Sequence, residues 1–340
     1  MAGIELSVII PAYNAEKFIE RAVNSVLEQK VENGRLEVLV VENGSIDNTT
    51  KTVEKIIEKQ KAVKLFHSSK GVSHARNMGI VQAKGKWILF LDADDILLEN
   101  VLSDVLYNAN KSQSDIYFYG HKNNNKDRLV CDNHVEEVFD SLKMENCKIR
   151  VLENPTRYMQ AIAKVYKSEF LKNNNLKFNP NLRLSEDSDF CFRCLQVAKK
   201  VEFKNNIIYR VLPNISSATR AFDGNKVKDY IFALNETKKS ISLENKKVQH
   251  AFSVYVLMHM NIAMVRENFS LNNKMSFFEK YKNMKKVIKE PIFKKAIDIT
   301  KKKECFCLRM APILCLKLHF DLGASLIYSI RALQNYLREK

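Results

Sequence analysis

Four times in the first 100 residues, an apolar run stops abruptly in side chains that carry oxygen, charge or a ring. "LSVII" runs into Pro11-Ala12-Tyr13-Asn14, and "LEVLVV" into Glu42-Asn43-Gly44. "VKLF" leads to Lys70-Gly71 and a segment bearing Arg76-Asn77, and "WILFL" ends in Asp92-Ala93-Asp94-Asp95. Between these runs the apolar period is helical: Phe18, Ala22 and Val26 share a face with Ile19 and Val23. Asp47-Asn48 caps a second helix, and "GVSHARNMGIVQA" reads as a third. "ILLENVLSDVLYNAN" (96–110) is expected to be a fourth helix and "DIYFYG" (115–120) a fifth strand. Strands alternating with helices across short connections predict an α/β fold, with a mainly parallel sheet flanked by helices on both faces. Such sheets bind ligands beyond the carboxyl ends of their strands. The four polar strand ends therefore mark one rim as the candidate site.

The remaining chain is patterned differently. Residues 121–220 are mixed, with a short helix in "KVYKSEFLKNNNLKFN", an amphipathic helix starting at "SEDSDF" and strand material in "VEFKNNIIYRVL". From 224 to 340 the pattern is mostly helical, which sets expected domains of 1–223 and 224–340. Charge follows the same division. Residues 1–120 hold 14 basic and 16 acidic residues, and 121–340 hold 41 and 23. The net charge of +16 therefore belongs to the C-terminal part. It suits an anionic partner: lipid, a phosphate-bearing acceptor or nucleic acid. A solvated lysine-rich surface is the plain alternative. The seven cysteines form no disulfide framework, and Cys191-Phe-Arg-Cys194 has no second pair with zinc spacing. These two are expected to be small packing residues. The Ile4–Ile10 run is too short for a signal peptide and meets Pro11, and no apolar run reaches the 18–20 residues or so of a spanning helix. A soluble or peripheral cytoplasmic protein is the expectation.

Asp92 and Asp94 lie two apart, so on extended backbone they face the same way. Paired carboxylates at a strand end can ligate a hard divalent cation, Mg²⁺ or Mn²⁺, together with phosphate oxygens. The competing reading makes Asp94-Asp95 the N-terminal cap of a helix from Ile96. No Gly-rich dinucleotide fingerprint follows the first strand, and no P-loop is present.

"LSVIIPAYNAEKFIERAVNSVLEQ", "VVENGSIDNT", "GVSHARNMGI" and "FLDADD", in that order and spacing, resemble glycosyltransferase family 2 with the GT-A fold. The resemblance covers residues 4–120, and extends more weakly to "SEDSDF" (185–190) and "YRVLPNISSATR" (209–220). It implies an inverting, metal-dependent transfer from a nucleotide sugar to a bacterial surface glycan, with Mn²⁺ or Mg²⁺ as cofactor. It implies that Pro11, Tyr13, Asn14, Glu42 and Asn43 hold the base, the Tyr13 ring by stacking. Arg76 would reach the pyrophosphate or the base edge. Asp92 and Ala93 would lie along the ribose, and Asp94 or Asp95 at the metal. The family often has two acids where this chain has Glu42-Asn43. The Asn43 amide oxygen can still accept, so uridine is the expected base and thymidine the alternative. The "ED" of "SEDSDF" implies Asp187 as catalytic base, with Glu186 and Asp189 on the acceptor side. A carboxylate there would take the proton of the attacking hydroxyl; the same residues also make a good helix N-terminus. The C-terminal helices are expected to meet a glycan or lipid-linked glycan acceptor, an anionic membrane, or one another in a homo-oligomer. A nucleotidyltransferase of related fold and a basic nucleic-acid-binding protein are the alternatives.

Overall fold

A computed structural model describes residues 3–32, 34–123, 126–213 and 222–339. The last part of the weaker resemblance, 214–220, lies outside the described residues. The chain forms two compact units. One comprises Met1–Cys147, Thr156–Asn181 and Glu186–Asn214, and the other Lys148–Pro155, Leu182–Ser185 and Ile215–Lys340.

The strands are β1 (Leu6–Ala12), β2 (Leu36–Glu42), β3 (Val63–His67), β4 (Trp87–Phe90), β5 (Ile96–Leu97), β6 (Ile116–Asn123), β7 (Lys126–Arg128), β8 (Glu137–Phe139), β9 (Lys164–Lys167) and β10 (Val201–Val211). The first eight helices are α1 (Ile19–Leu27), α2 (Thr49–Lys59), α3 (Val72–Gln82), α4 (Leu102–Ser112), α5 (Met144–Glu153), α6 (Pro155–Tyr158), α7 (Ser168–Asn173) and α8 (Glu186–Val197). The sheet order is β3-β2-β1-β4-β9-β6-β10-β5. β1 to β4 are mutually parallel, as the alternation predicts. β9 then enters antiparallel to both β4 and β6. Two reversals cancel, so β6 and its parallel neighbour β10 point the same way as β4. The end of β10 thereby reaches the rim that carries Asp92.

The core explains the pattern. Val8, Ile10, Val38, Val40 and Leu89 pack against Ile19, Val23 and Val26 of α1 and Val53 of α2. Each such side chain contributes about 1.5–3 kcal/mol when fully buried. On the other face α3 lies close against β1: a Cβ on Gly79 would come within 2.3 Å of the Ile9 side chain. That approach seats Arg76, one turn earlier, directly under the rim.

Two expectations change. Residues 96–97 form β5, paired with Tyr209 and Arg210 of β10, and α4 starts only at Leu102. Asp94-Asp95 therefore caps no helix. β9 also replaces part of a segment read only as a helix: four residues with lysine at both ends give little strand signal.

In the second unit the helices are α9 (Lys226–Ile241), α10 (Lys246–Ala263), α11 (Phe277–Val287), α12 (Pro291–Ile299), α13 (Ala311–Lys317) and α14 (Asp321–Glu339). α10 continues into a π-helical turn, and Lys246–Asn268 is long and apolar enough to cross a membrane by composition. Its richest window is 78% buried among its neighbours, the pattern of a core helix.

Candidate active site

The first strand end is built by backbone rules. The ladder from β1 to β4 stops at Ile9, so the missing N–H of Pro11 falls where β1 has no partner on that side. Pro11 is buried within the strand and shapes the turn, and Tyr13 beyond it is 43% exposed. The Lys70 ammonium lies 5.1 Å from the Tyr13 ring centre. Asn14 adopts a left-handed φ of 48°, accepts the Ile46 N–H at 2.9 Å and gives its own N–H to Ser45 Oγ at 3.0 Å. The loops after β1 and β2 are thus bonded to each other. Glu42 accepts the Ser45 N–H and pairs with His67 at 3.1 Å. Burial opposes its charge, but these donors outweigh burial and hold its pKa below the ordinary carboxylate value. Asn43 donates to the Ala12 carbonyl at 3.1 Å and accepts from the Gly71 N–H at 3.4 Å, joining three strand ends.

The four residues of the D-A-D-D element separate in role. Ala93 is buried, and the backbone carbonyl of Asp94 accepts from the Arg21 guanidinium at 2.8 Å. Asp95 is buried and both its oxygens are used: Oδ2 accepts from the Tyr209 hydroxyl and Oδ1 from the Leu212 N–H, each at 2.8 Å. Burial, with the nearby Asp92 charge, pushes the Asp95 pKa up to about 7. Asp94 is half-buried, and Asp92 turns to Arg76.

Arg76 is the centre of the site. Its guanidinium is buried and donates to Asp187 Oδ1 at 2.6 Å, Glu186 Oε1 at 3.4 Å and Asp92 Oδ1 at 3.1 Å. It also lies 5.1 Å from the Phe178 ring centre. Burial works against its charge, but Asp187, Asp92 and Glu186 outweigh it, so its pKa stands above the usual value. The sequence reading aimed Arg76 at a pyrophosphate or a base edge, and here it clamps three acids. Its Nε is a further donor: among the described residues it is buried without a partner. Asp187 Oδ2 accepts the Ala161 N–H at 3.1 Å, so both its oxygens are oriented. Burial, then the Asp187 charge, pushes the Glu186 pKa up to about 8.

Asp189 does not join this group. Two residues along a helix is a turn of about 200°, and its carboxylate is held by Arg193 at 2.7 Å on the opposite side of α8. Cys191 and Cys194 are buried in the same helix, as expected of packing residues. Sequence reasoning missed Tyr209, Arg21 and Ala161. Tyr209 opened the weaker resemblance "YRVLPNISSATR" and lay in strand material, but was given no role; the other two act through a guanidinium reaching a carbonyl and a backbone N–H, which carry no motif.

Among the described residues no group of three or more His, Cys, Asp or Glu side chains is arranged to hold a metal ion. Mg²⁺ and Mn²⁺ are instead commonly held by one or two carboxylates plus phosphate oxygens. Asp95 is bonded through both oxygens, Asp92 is paired with Arg76, and the half-buried Asp94 stands between them in the element.

The model of the family described as Glycosyl transferase family 2 matches residues 7–170. EpsH of Bacillus subtilis, a putative glycosyltransferase by its name, is 23% identical over 92% of this chain and 94% of its own length. TarS of Staphylococcus aureus, a poly(ribitol-phosphate) beta-N-acetylglucosaminyltransferase, is 30% identical over 61% of this chain, and the chain spans about a third (35%) of it. The crystal structure of TarS 1–349 in complex with UDP-GlcNAc aligns with 98% of this chain and 92% of that one, at TM-score 0.66 and 20% identity. A mannosyltransferase from Pyrobaculum calidifontis, in complex with GDP-Man and Mn²⁺, aligns at TM-score 0.53 and 15% identity over 98% of this chain and 88% of its own. The family replaces the nucleotidyltransferase reading. With its strand-end motifs, its GT-A sheet and its matched relatives, the chain carries a glycosyltransferase family 2 domain over residues 7–170.

Proposed function

We propose that the protein transfers an N-acetylhexosamine or hexose from a UDP-sugar to a hydroxyl of a bacterial surface glycan, with inversion and with a divalent cation. The observation that carries this is the Arg76 clamp. One buried guanidinium joins Asp92, at the end of the strand that should face the donor, to Asp187, the candidate base. Donor and base are then held at a fixed separation, which is what in-line displacement needs.

Tyr13, Glu42 and Asn43 line the end of the sheet where the base would lie, with the Tyr13 ring exposed enough to stack. Asp94, with diphosphate oxygens, would hold Mn²⁺ or Mg²⁺, which supplies charge stabilisation for the departing diphosphate. Asp187 would accept the proton of the acceptor hydroxyl through whichever oxygen Arg76 and Ala161 leave accessible. The unpartnered Arg76 Nε is a further donor for a bound oxygen. Names of relatives support the substrate class: a UDP-GlcNAc complex and a poly(ribitol-phosphate) acceptor. The 23 basic against 10 acidic residues of 224–340 suit a phosphate-bearing acceptor.

Thermal-shift measurement with UDP, dTDP and GDP, each with and without Mn²⁺, tests the donor. A ligand of the native state raises the melting temperature. UDP with Mn²⁺ is expected to give the largest shift, and no response to any uridine nucleotide would sink the assignment.

A further inference from the structure

Helix α14 has two contrasting faces. Ala324, Tyr328 and Ala332 are buried within their own unit, and the Tyr328 hydroxyl donates to Asn261 Oδ1 at 2.7 Å. On the other side Leu322, Leu326, Ile330, Leu333 and Leu337 are 45–64% exposed. At about 100° per residue, all five fall within roughly 40° of Leu326 around the helix axis. From Leu326 onward the spacing is that of a coiled-coil seam, with Leu326 and Leu333 at d positions and Ile330 and Leu337 at a.

The flanks separate the possible occupants. Gly323, Ser329, Gln334 and Tyr336 border the stripe, so an arc of roughly 160° contains no charged residue. The chain as a whole is 28% charged. A helix lying on anionic lipid borders its apolar face with Lys and Arg. Here Arg331 and Arg338 lie about 120–140° from the centre of the stripe at Leu326. Arg331 is occupied as well, donating to the carbonyls of Leu308 and Arg309.

We propose that this face is a self-association seam, closed by α14 of a second copy of the same chain. A chain of net charge +16 repels its copies, except across a surface that carries no charge. Five half-exposed side chains of about 100 Å² each, counted on two copies, bury roughly 1,000 Å², the size at which specific interfaces begin. Packing the same face on itself gives a closed twofold pair with no open end.

Light scattering and sedimentation of the full chain across the micromolar range test this. The expected mass is twice that of the chain. The double variant Ile330→Glu, Leu333→Glu should give the single-chain mass with unchanged far-UV circular dichroism. Should that variant misfold, Ile330→Ala is expected to keep the fold and weaken association at least tenfold. Single-chain mass at every concentration overturns the seam, as does an assembly unaffected by these substitutions. A monomer that binds phosphatidylglycerol vesicles, and loses that binding in Ile330→Ala, would assign the face to lipid instead.

Discussion

The Tyr209 hydroxyl donates to Asp95 Oδ2 at 2.8 Å and accepts the N–H of Asp92 at 3.1 Å. One phenol therefore fixes both ends of the D-A-D-D element, from a strand 117 residues further along the chain. Tyr209→Phe removes both bonds and keeps the ring. A buried carboxylate that loses one donor costs about 1–3 kcal/mol. The variant should lower kcat/KM for the UDP-sugar by about 10- to 100-fold, and raise the Mn²⁺ concentration needed for half-maximal rate. Steady-state assays over a Mn²⁺ series check this, and an unchanged metal dependence would show that Asp95 does not position the element.

Asp187→Asn tests the base. The carboxylate accepts from Arg76 on one oxygen and from Ala161 on the other, and an amide can accept on only one. Transfer should fall by about 10²–10⁴, the usual contribution of a general base. UDP affinity should stay within a few-fold by calorimetry, because Asp187 is held by Arg76 and Ala161 and, among the described residues, not by the loops that carry Tyr13, Glu42 and Asn43. Loss of UDP binding would move Asp187 to the donor side.

Much of this was legible in the sequence because it repeats. Continuous apolar runs separated by period-3.6 segments marked the βαβ units, and four strand ends marked the rim. The clamp was not legible. Arg76, Asp92 and Asp187 were each singled out, but nothing along the chain says that one guanidinium meets both acids across 111 residues. β9 was missed because its four residues take their strand conformation from β4 and β6 on either side, a tertiary effect that outweighs local propensity. Asp189 was placed with Glu186 on the acceptor side; no motif along the chain shows that its carboxylate is taken up by Arg193, four residues further on.

Arg76→Met tests the clamp as a stability element. It leaves Asp92, Glu186 and Asp187 together without their cation. Breaking a buried pair from one side costs about 3–5 kcal/mol. Urea denaturation at pH 7 should show a loss of that order, smaller at pH 5, where the carboxylates can take up protons. Arg76→Lys should lose less stability but still lose transfer, since a single ammonium cannot span the forked contacts.

Glu186 gives a pH signature with a defined sign. Burial and the Asp187 charge raise its folded pKa to about 8, above the ordinary carboxylate value of 4.5. Between those values the folded state binds the extra proton, so stability falls as pH rises through the interval. The contribution is fully present below the unfolded pKa and is lost above about 8. Glu186→Gln keeps a neutral, proton-bearing group in place and has nothing to titrate. The variant should gain stability relative to the native chain as pH rises from 5 to 8, with a slope no greater than about 1.4 kcal/mol per pH unit, the limit for one proton. Chemical denaturation of both proteins at matched pH measures that difference. A flat difference would mean that Glu186 is ionised throughout and that Arg76 balances all three acids alone.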